Sequence, residues 1–401
     1  MRKHLLLVIC LGVIFSGDSS AFGQLGLIAA KRAGSSSPSL TIKSTDVEPH
    51  IRVLAGSKLQ GRSGADAREA ASYIQRHYQS LGVKPLFGDS YLQTIPGRTD
   101  DEGKTAVAGQ NIGGWIPGND PKVADEFIII SAHYDHLGVR NGVAYPGADD
   151  NASGVSMVLE LARLVANSKI KPRRSIAFVN FDLEEKMLWG SRWFASHPPW
   201  PLEKVRLFIT ADMIGRSLGN LPLPMVFVLG AEHGEGMKQS LDKVPVPDGL
   251  EVARLGVDLI GIRSDYGPFK ERHVPFLFFS TGEHPDYHSP RDVADRIDFE
   301  KVARVSTLIH RVTLMAADSD KPPQWTSDIQ PDLDEPTGLK RVTELMLQAE
   351  ADDKYKLSDL QRMLVTHVNS RSTLILERGR MTQADRTWLT RTAQLLLFSV
   401  F

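Results

Sequence analysis

Cysteine is all but missing: 401 residues contain one, Cys10. Beyond Cys10 the chain can form no disulfide and offers no thiolate to a metal, so a metal site would have to be built from His, Asp and Glu. Net charge is also missing. Lys and Arg total 47 against 48 Asp and Glu, a formal charge of −1, which excludes the broad basic field that binds nucleic acid or anionic membrane. A membrane-length apolar run is lacking as well. Leu5 to Phe15 is apolar but short of the roughly 20 residues that span a bilayer. There are no internal repeats and no twelve-residue oxygen-ligand loop of the EF-hand kind.

What the N-terminus does have is an export pattern. Arg2, Lys3 and His4 precede the apolar run, and Ala21-Phe22-Gly23 places small residues at −3 and −1 of a cleavage site. Residues 1–23 therefore read as a signal peptide, with a product that is periplasmic or extracellular. Residues 24–43, rich in Gly, Ser and Ala, read as a flexible lead-in.

From there the pattern alternates. Apolar periodicity predicts a helix over Ala65–Leu81. Five short runs, "EFIIISA" (126–132), "SIAFVNF" (175–181), "RLFITAD" (206–212), "MVFVLG" (225–230) and "VPFLFFS" (274–280), read as strands buried on both faces. Helical patterns lie between them at Ser153–Val165, Trp189–Ser196 and Gly236–Leu241, and another follows at Phe299–Ala316. This is α/β order: a mostly parallel mixed sheet with helices on both faces. The long link between the fourth and fifth runs leaves strand order open there. Residues 319–336 are rich in proline and acid and read as a linker. Three helical patterns then run over 337–401, with a capping box at Ser358 and Gln361; they read as a helical extension packed on the main domain.

Ligands of open parallel sheets bind beyond the C-terminal strand ends, and the polar residues fall there. His133 and Asp135 follow the first run; Asp182, Glu184 and Glu185 follow the second; Asp212 closes the third; His288 follows the fifth. The pair Asp149 and Asp150 lies in the loop that enters the Ser153 helix. Taken singly, these are ordinary caps, surface acids or structural histidines. Together, two imidazoles and several carboxylates at one buried edge would be costly without a cation. An imidazole and carboxylate shell without thiolates suits Zn²⁺, with Co²⁺ or Mn²⁺ as substitutes.

The segments "SAHYDHLG", "GADDNASG", "LEEKMLWGSRWF", "ADMIGR" and "GEHPDYHSPRD", in this order, resemble the M28 family of co-catalytic di-zinc aminopeptidases. The resemblance covers most of 45–318, so residues 44–318 are expected to form an M28-like peptidase domain of the three-layer zinc-aminopeptidase fold. It implies two Zn²⁺ per chain. His133 and Asp212 would hold one ion, Glu185 and His288 the other, and Asp149 would bridge them, with Asp150 only shaping the loop. Asp135 would orient the His133 ring, Glu184 would act as general base and acid, and Tyr287 would stabilise the oxyanion.

The expected activity is removal of N-terminal residues from peptides. Alternatives are C-terminal trimming, glutaminyl cyclisation, or a catalytically silent receptor-like domain. Peptide is the expected partner; oligomeric state is left open. His136 stands near the site as loop support or as a direct contact. Arg263 and Asp265 border the pocket or form an ion pair. His77, His273 and His284 read as structural.

Overall fold

The computed structural model describes residues 41–400. The expected signal peptide and nearly all of the lead-in lie outside the described residues. Nine strands make one sheet: β1 (Lys84–Pro85), β2 (Leu92–Thr99), β3 (Thr105–Ile116), β4 (Phe127–His133), β5 (Ser175–Phe181), β6 (Val205–Ala211), β7 (Met225–Leu229), β8 (Glu251–Leu255) and β9 (Phe276–Ser280). Their order is β1-β3-β5-β4-β6-β9-β7-β8, with β2 also paired to β3. The central strands β5, β4, β6 and β9 run parallel. Each consists almost wholly of buried apolar residues, as strands covered on both faces must.

The flanks supply the antiparallel part of the expected mixed sheet. β3 is antiparallel to β5, and β7 is antiparallel to β9 while carrying β8 parallel at the edge. The antiparallel β1–β3 region and β8 were not foreseen. Their alternating or half-exposed residues lack the continuous apolar run of the centre.

Helices α1 (Ser44–Leu54), α2 (Ala65–Ser80), α3 (Gly154–Asn167) and α5 (Phe299–Asp318) cover one face, and α4 (Trp189–Ser196) lies on the other. The C-terminal helices α6 (Asp334–Ala351), α7 (Asp359–Arg378) and α8 (Gln383–Val400) join α4 on that second face. Val342, Met346, Val365 and Leu396 share an apolar core there with Phe227, Leu255 and Phe278 of the sheet. α7 starts at the foreseen cap: Ser358 Oγ accepts from Gln361 N, and the Gln361 side chain accepts from Ser358 N. Arg386 of α8 spans to Glu335 and Asp258, tying α8 to α6 and to the turn after β8. Among the described residues, no helix is long and apolar enough to cross a membrane.

Candidate metal centre

The parallel strands deliver their polar residues to one edge. His133 is the last residue of β4, paired in register with Phe181 at the end of β5. Glu184 and Glu185 follow β5 by a turn, and Asp212 directly follows β6, its N–H donating to Phe279 O of β9. Leu183, Met213 and His288 adopt left-handed φ of 58°, 58° and 51°. Non-glycine residues hold that conformation only where surrounding contacts enforce it, a frequent feature of functional sites. Two of the three adjoin candidate residues, and the third is one.

Asp150 is the centre of the cluster. Its Oδ1 lies 3.3 Å from His133 Nε2, and its Oδ2 lies 3.2 Å from His288 Nε2 and 3.7 Å from His136 Nδ1. His133 Nε2 is 3.4 Å from Asp212 Oδ1. Glu185 lies 2.8 Å from His136 Nδ1 and 3.1 Å from His288 Nε2. Two donor groups result, His133–Asp150–Asp212 and His136–Asp150–Glu185. They share one carboxylate.

The expectation for Asp149 is therefore corrected. Asp149 is fully buried, but it belongs to neither donor group. Its Oδ1 accepts from Gly215 N at 2.6 Å, and its Oδ2 sits 3.4 Å from His284 Nε2. The two neighbours part because the backbone is irregular here, with φ −105° and ψ 91° at Asp150 before α3 begins. The loop carrying them is pinned from several sides. Asp292 accepts from the N–H groups of both Asp149 and Asp150. Asn151 donates to Ala211 O and accepts from Gly154 N. Gly154 must be glycine, since a Cβ would come within 2.3 Å of the Asn151 side-chain oxygen and 2.5 Å of Ala211 O. The fully buried Arg62 donates to the carbonyls of Leu54, Tyr134, Pro146, Gly147 and Asp150. Nothing local in the sequence distinguished Arg62 from a surface arginine.

Other expected residues take defined places. His133 Nδ1 faces Asp135, 3.2 Å from its carbonyl and 3.6 Å from its carboxylate. Asp135 also accepts from Glu184 N at 3.0 Å, so it braces both a candidate ligand and the candidate base. Tyr287 stacks on the His288 ring at 3.8 Å and borders the same pocket as Asp150, Glu184 and Asp212. Asp182 turns away to accept from Gln110 N. Arg263 lies toward Glu283, 3.8 Å away, rather than toward Asp265. Asp265 is buried behind the cluster, both carboxylate oxygens without a hydrogen-bond partner, and burial pushes its carboxyl up to about 7.

The electrostatics call for positive charge. Burial alone would lower His288, yet the hydrogen bonds its ring donates to Asp150 and Glu185 hold it up at about 10. His133 is likewise raised well above the ordinary imidazole range, against its burial, chiefly by Asp212 and Glu184. Burial, reinforced by Asp212, Asp265 and Asp150, pushes Glu184 well above the usual carboxylate range. Burial also raises the Tyr287 hydroxyl. Imidazoles that bind protons so tightly are compensating clustered carboxylates, the role a cation would fill. Glu185 Oε1 and His136 Nδ1 are buried and close together, yet neither makes a hydrogen bond.

The sequence matches Peptidase family M28 over residues 111–313, half of the chain. The protein belongs to peptidase family M28. It is 26% identical over 254 residues to aminopeptidase YwaD of Bacillus subtilis, covering 61% of this chain and 52% of that one. It is 25% identical over 226 residues to a glutaminyl-peptide cyclotransferase of Boiga dendrophila, covering 47% of this chain and 61% of that one. The chain thus spans about half to two thirds of the length of these curated relatives. Among solved structures, the LapA aminopeptidase of Legionella pneumophila matches with TM-score 0.54 and 22% identity, over 70% of this chain and 73% of that one. The glutaminyl cyclase of Porphyromonas gingivalis matches with TM-score 0.54 and 19% identity, over 68% and 98%. The fold of this M28 chain is that of the zinc aminopeptidases, with C-terminal helices added beyond the matched region.

Proposed function

We propose that this M28 protein is a di-zinc exopeptidase that removes N-terminal residues from peptides. The observation that carries the reading is the Asp150 carboxylate, with one oxygen toward the His133 and Asp212 group and the other toward the Glu185, His136 and His288 group. One shared carboxylate between two imidazole and carboxylate groups is the donor set a pair of divalent ions requires. His133, Asp150 and Asp212 would hold one zinc; Asp150, Glu185 and His288 would hold the other. When bound, the ions polarise the scissile carbonyl and acidify water toward neutrality.

The chain's own groups do the rest. Glu184 takes the proton of the attacking water and passes it to the nitrogen of the leaving amine as the C–N bond breaks. The Tyr287 hydroxyl donates to the carbonyl oxygen as negative charge gathers there. Asp135 keeps the His133 ring in place.

Glu184→Gln tests the assignment. It should retain the zinc content of the wild type while kcat on aminoacyl-p-nitroanilides falls roughly 10²–10⁴-fold; Glu185→Ala should lose metal. Wild-type turnover in Glu184→Gln would refute the role. N-blocked peptides and peptides with N-terminal glutamine decide between this reading and carboxypeptidase or glutaminyl cyclase chemistry, and product mass identifies cyclisation. We further propose export to the periplasm or beyond, supported by the basic, apolar and small-residue order of residues 1–23.

A further inference from the structure

The candidate metal centre is the floor of one end of a larger cavity. Its volume is about 650 Å³. Asp150, Glu184, Asp212 and Tyr287 stand at the polar end. The rest is mostly apolar, with Phe227, Leu255 and Phe278 from the sheet, Val342 and Met346 from α6, and Leu397 from α8, interrupted by polar side chains such as Arg263, Glu283, Thr343 and Gln394. Half of those walls belong to the C-terminal helices, outside the region that matches the family. These helices are fixed in place, since Val342 and Met346 are buried in the same apolar core as the sheet residues they face. Arg386, with its bonds to Glu335 and Asp258, clamps α8 across the top.

We infer that the C-terminal extension is part of the substrate site: it walls a long apolar chamber that takes a bulky aliphatic or aromatic group attached next to the scissile bond. The occupant follows from three features. The chamber is continuous with the reacting end, so its contents belong to the molecule being cut. Most of its lining is apolar, so a polar chain placed there would give up hydrogen bonds to water for few partners. Its volume lies in the range of pockets that enclose whole drug-sized ligands, larger than one leucine needs. Substrates are therefore peptides whose terminal residue carries a long apolar side chain. This rests on the exopeptidase reading for the reaction, though not for the chamber.

The test uses the full zinc-loaded chain and two readouts. The first is calorimetric binding of butyl-, hexyl-, octyl- and decylamine. Affinity is expected to rise several-fold per added methylene at least to octyl, with a negative heat-capacity change. Leu339→Trp and Leu397→Trp, at partly exposed wall positions, should cut the octyl-to-butyl affinity ratio at least tenfold. Leu397→Met should restore the wild-type ratio, which a general loss of fold would not do. The second readout is kcat/KM on alanyl against 2-aminooctanoyl p-nitroanilide, expected to favour the longer by at least tenfold. Alkylamine affinity independent of length, or a ratio unchanged in both Trp variants, overturns the inference. Length-dependent binding without hydrolysis of any aminoacyl substrate supports the chamber and overturns the aminopeptidase reading instead.

Discussion

Asp149 and Asp150 are adjacent and both buried, yet their removal should produce opposite failures. In Asp150→Asn, the carboxylate shared by both donor groups loses its charge. Groups that only brace a ligand typically cost 10–100-fold in metal affinity when altered. A ligand shared by two ions should exceed that, so zinc affinity should fall by more than about 100-fold at both positions. Saturation at about 100 times Kd stabilises the native chain by roughly 2.7 kcal/mol, and that zinc-dependent gain should vanish in the variant. In Asp149→Asn the structure assigns a different loss. Oδ1 accepts from Gly215 N at 2.6 Å in a fully buried setting. Weakening that charge-assisted bond should cost on the order of 1–3 kcal/mol of stability, while zinc stoichiometry stays that of the wild type. Elemental analysis after gel filtration, competition with a chelating dye and urea unfolding with and without zinc give the comparison. Metal loss in Asp149→Asn together with full metal in Asp150→Asn would refute the geometric assignment.

Arg62→Lys should lower stability by about 3 kcal/mol or more in urea unfolding and weaken zinc binding. Lysine cannot satisfy the five carbonyls the guanidinium reaches, and each buried acceptor left bare costs about 1–3 kcal/mol; wild-type stability would remove Arg62 from the account of how the Asp150 loop is held. His310, on α5, is buried with neither ring nitrogen hydrogen-bonded, and burial pulls it down to about 4. The unfolded chain takes up this proton near pH 6.5 and the folded chain only near pH 4. Its contribution is therefore whole above pH 6.5, is lost as pH falls toward 4, and amounts to at most about 3 kcal/mol. His310→Gln should flatten the wild-type decline across that interval in parallel unfolding series; equal slopes would show that the ring is solvated in the folded state.

The contrast between Asp149 and Asp150 also marks where sequence reasoning stops. His133, Glu185, Asp212 and His288 could be found because each follows an apolar run whose strand delivers it to a predictable edge. The aspartate pair sits in a turn without regular φ and ψ, where no two-residue or 3.6-residue period says which neighbour faces inward. His136 raises the same difficulty, three residues past its strand. Arg62 and Asp292 are further still from any periodic signal. Their roles arise only when Arg62, after α1, and Asp292, before α5, close on the same loop, 84 to 143 residues away in sequence.

The chamber was illegible for a related reason. Its sheet wall depends on β7 and β8 running against β9, a reversal hidden in the long link that left strand order open. β8 itself, "EVARL", is half-exposed and carries no continuous apolar run. Once that edge is built, α6 has a surface to cover: Val342 and Met346 come down over Leu255 and Phe278, and α8 follows through Arg386. Helical periodicity in 337–401 shows that these helices own an apolar stripe, but a stripe specifies only that something is covered. What it covers is set by the antiparallel edge. The same packing that stabilises the extension also gives the candidate metal centre its apolar wall, so substitutions at the wall should separate substrate preference from stability only at partly exposed positions such as Leu339 and Leu397.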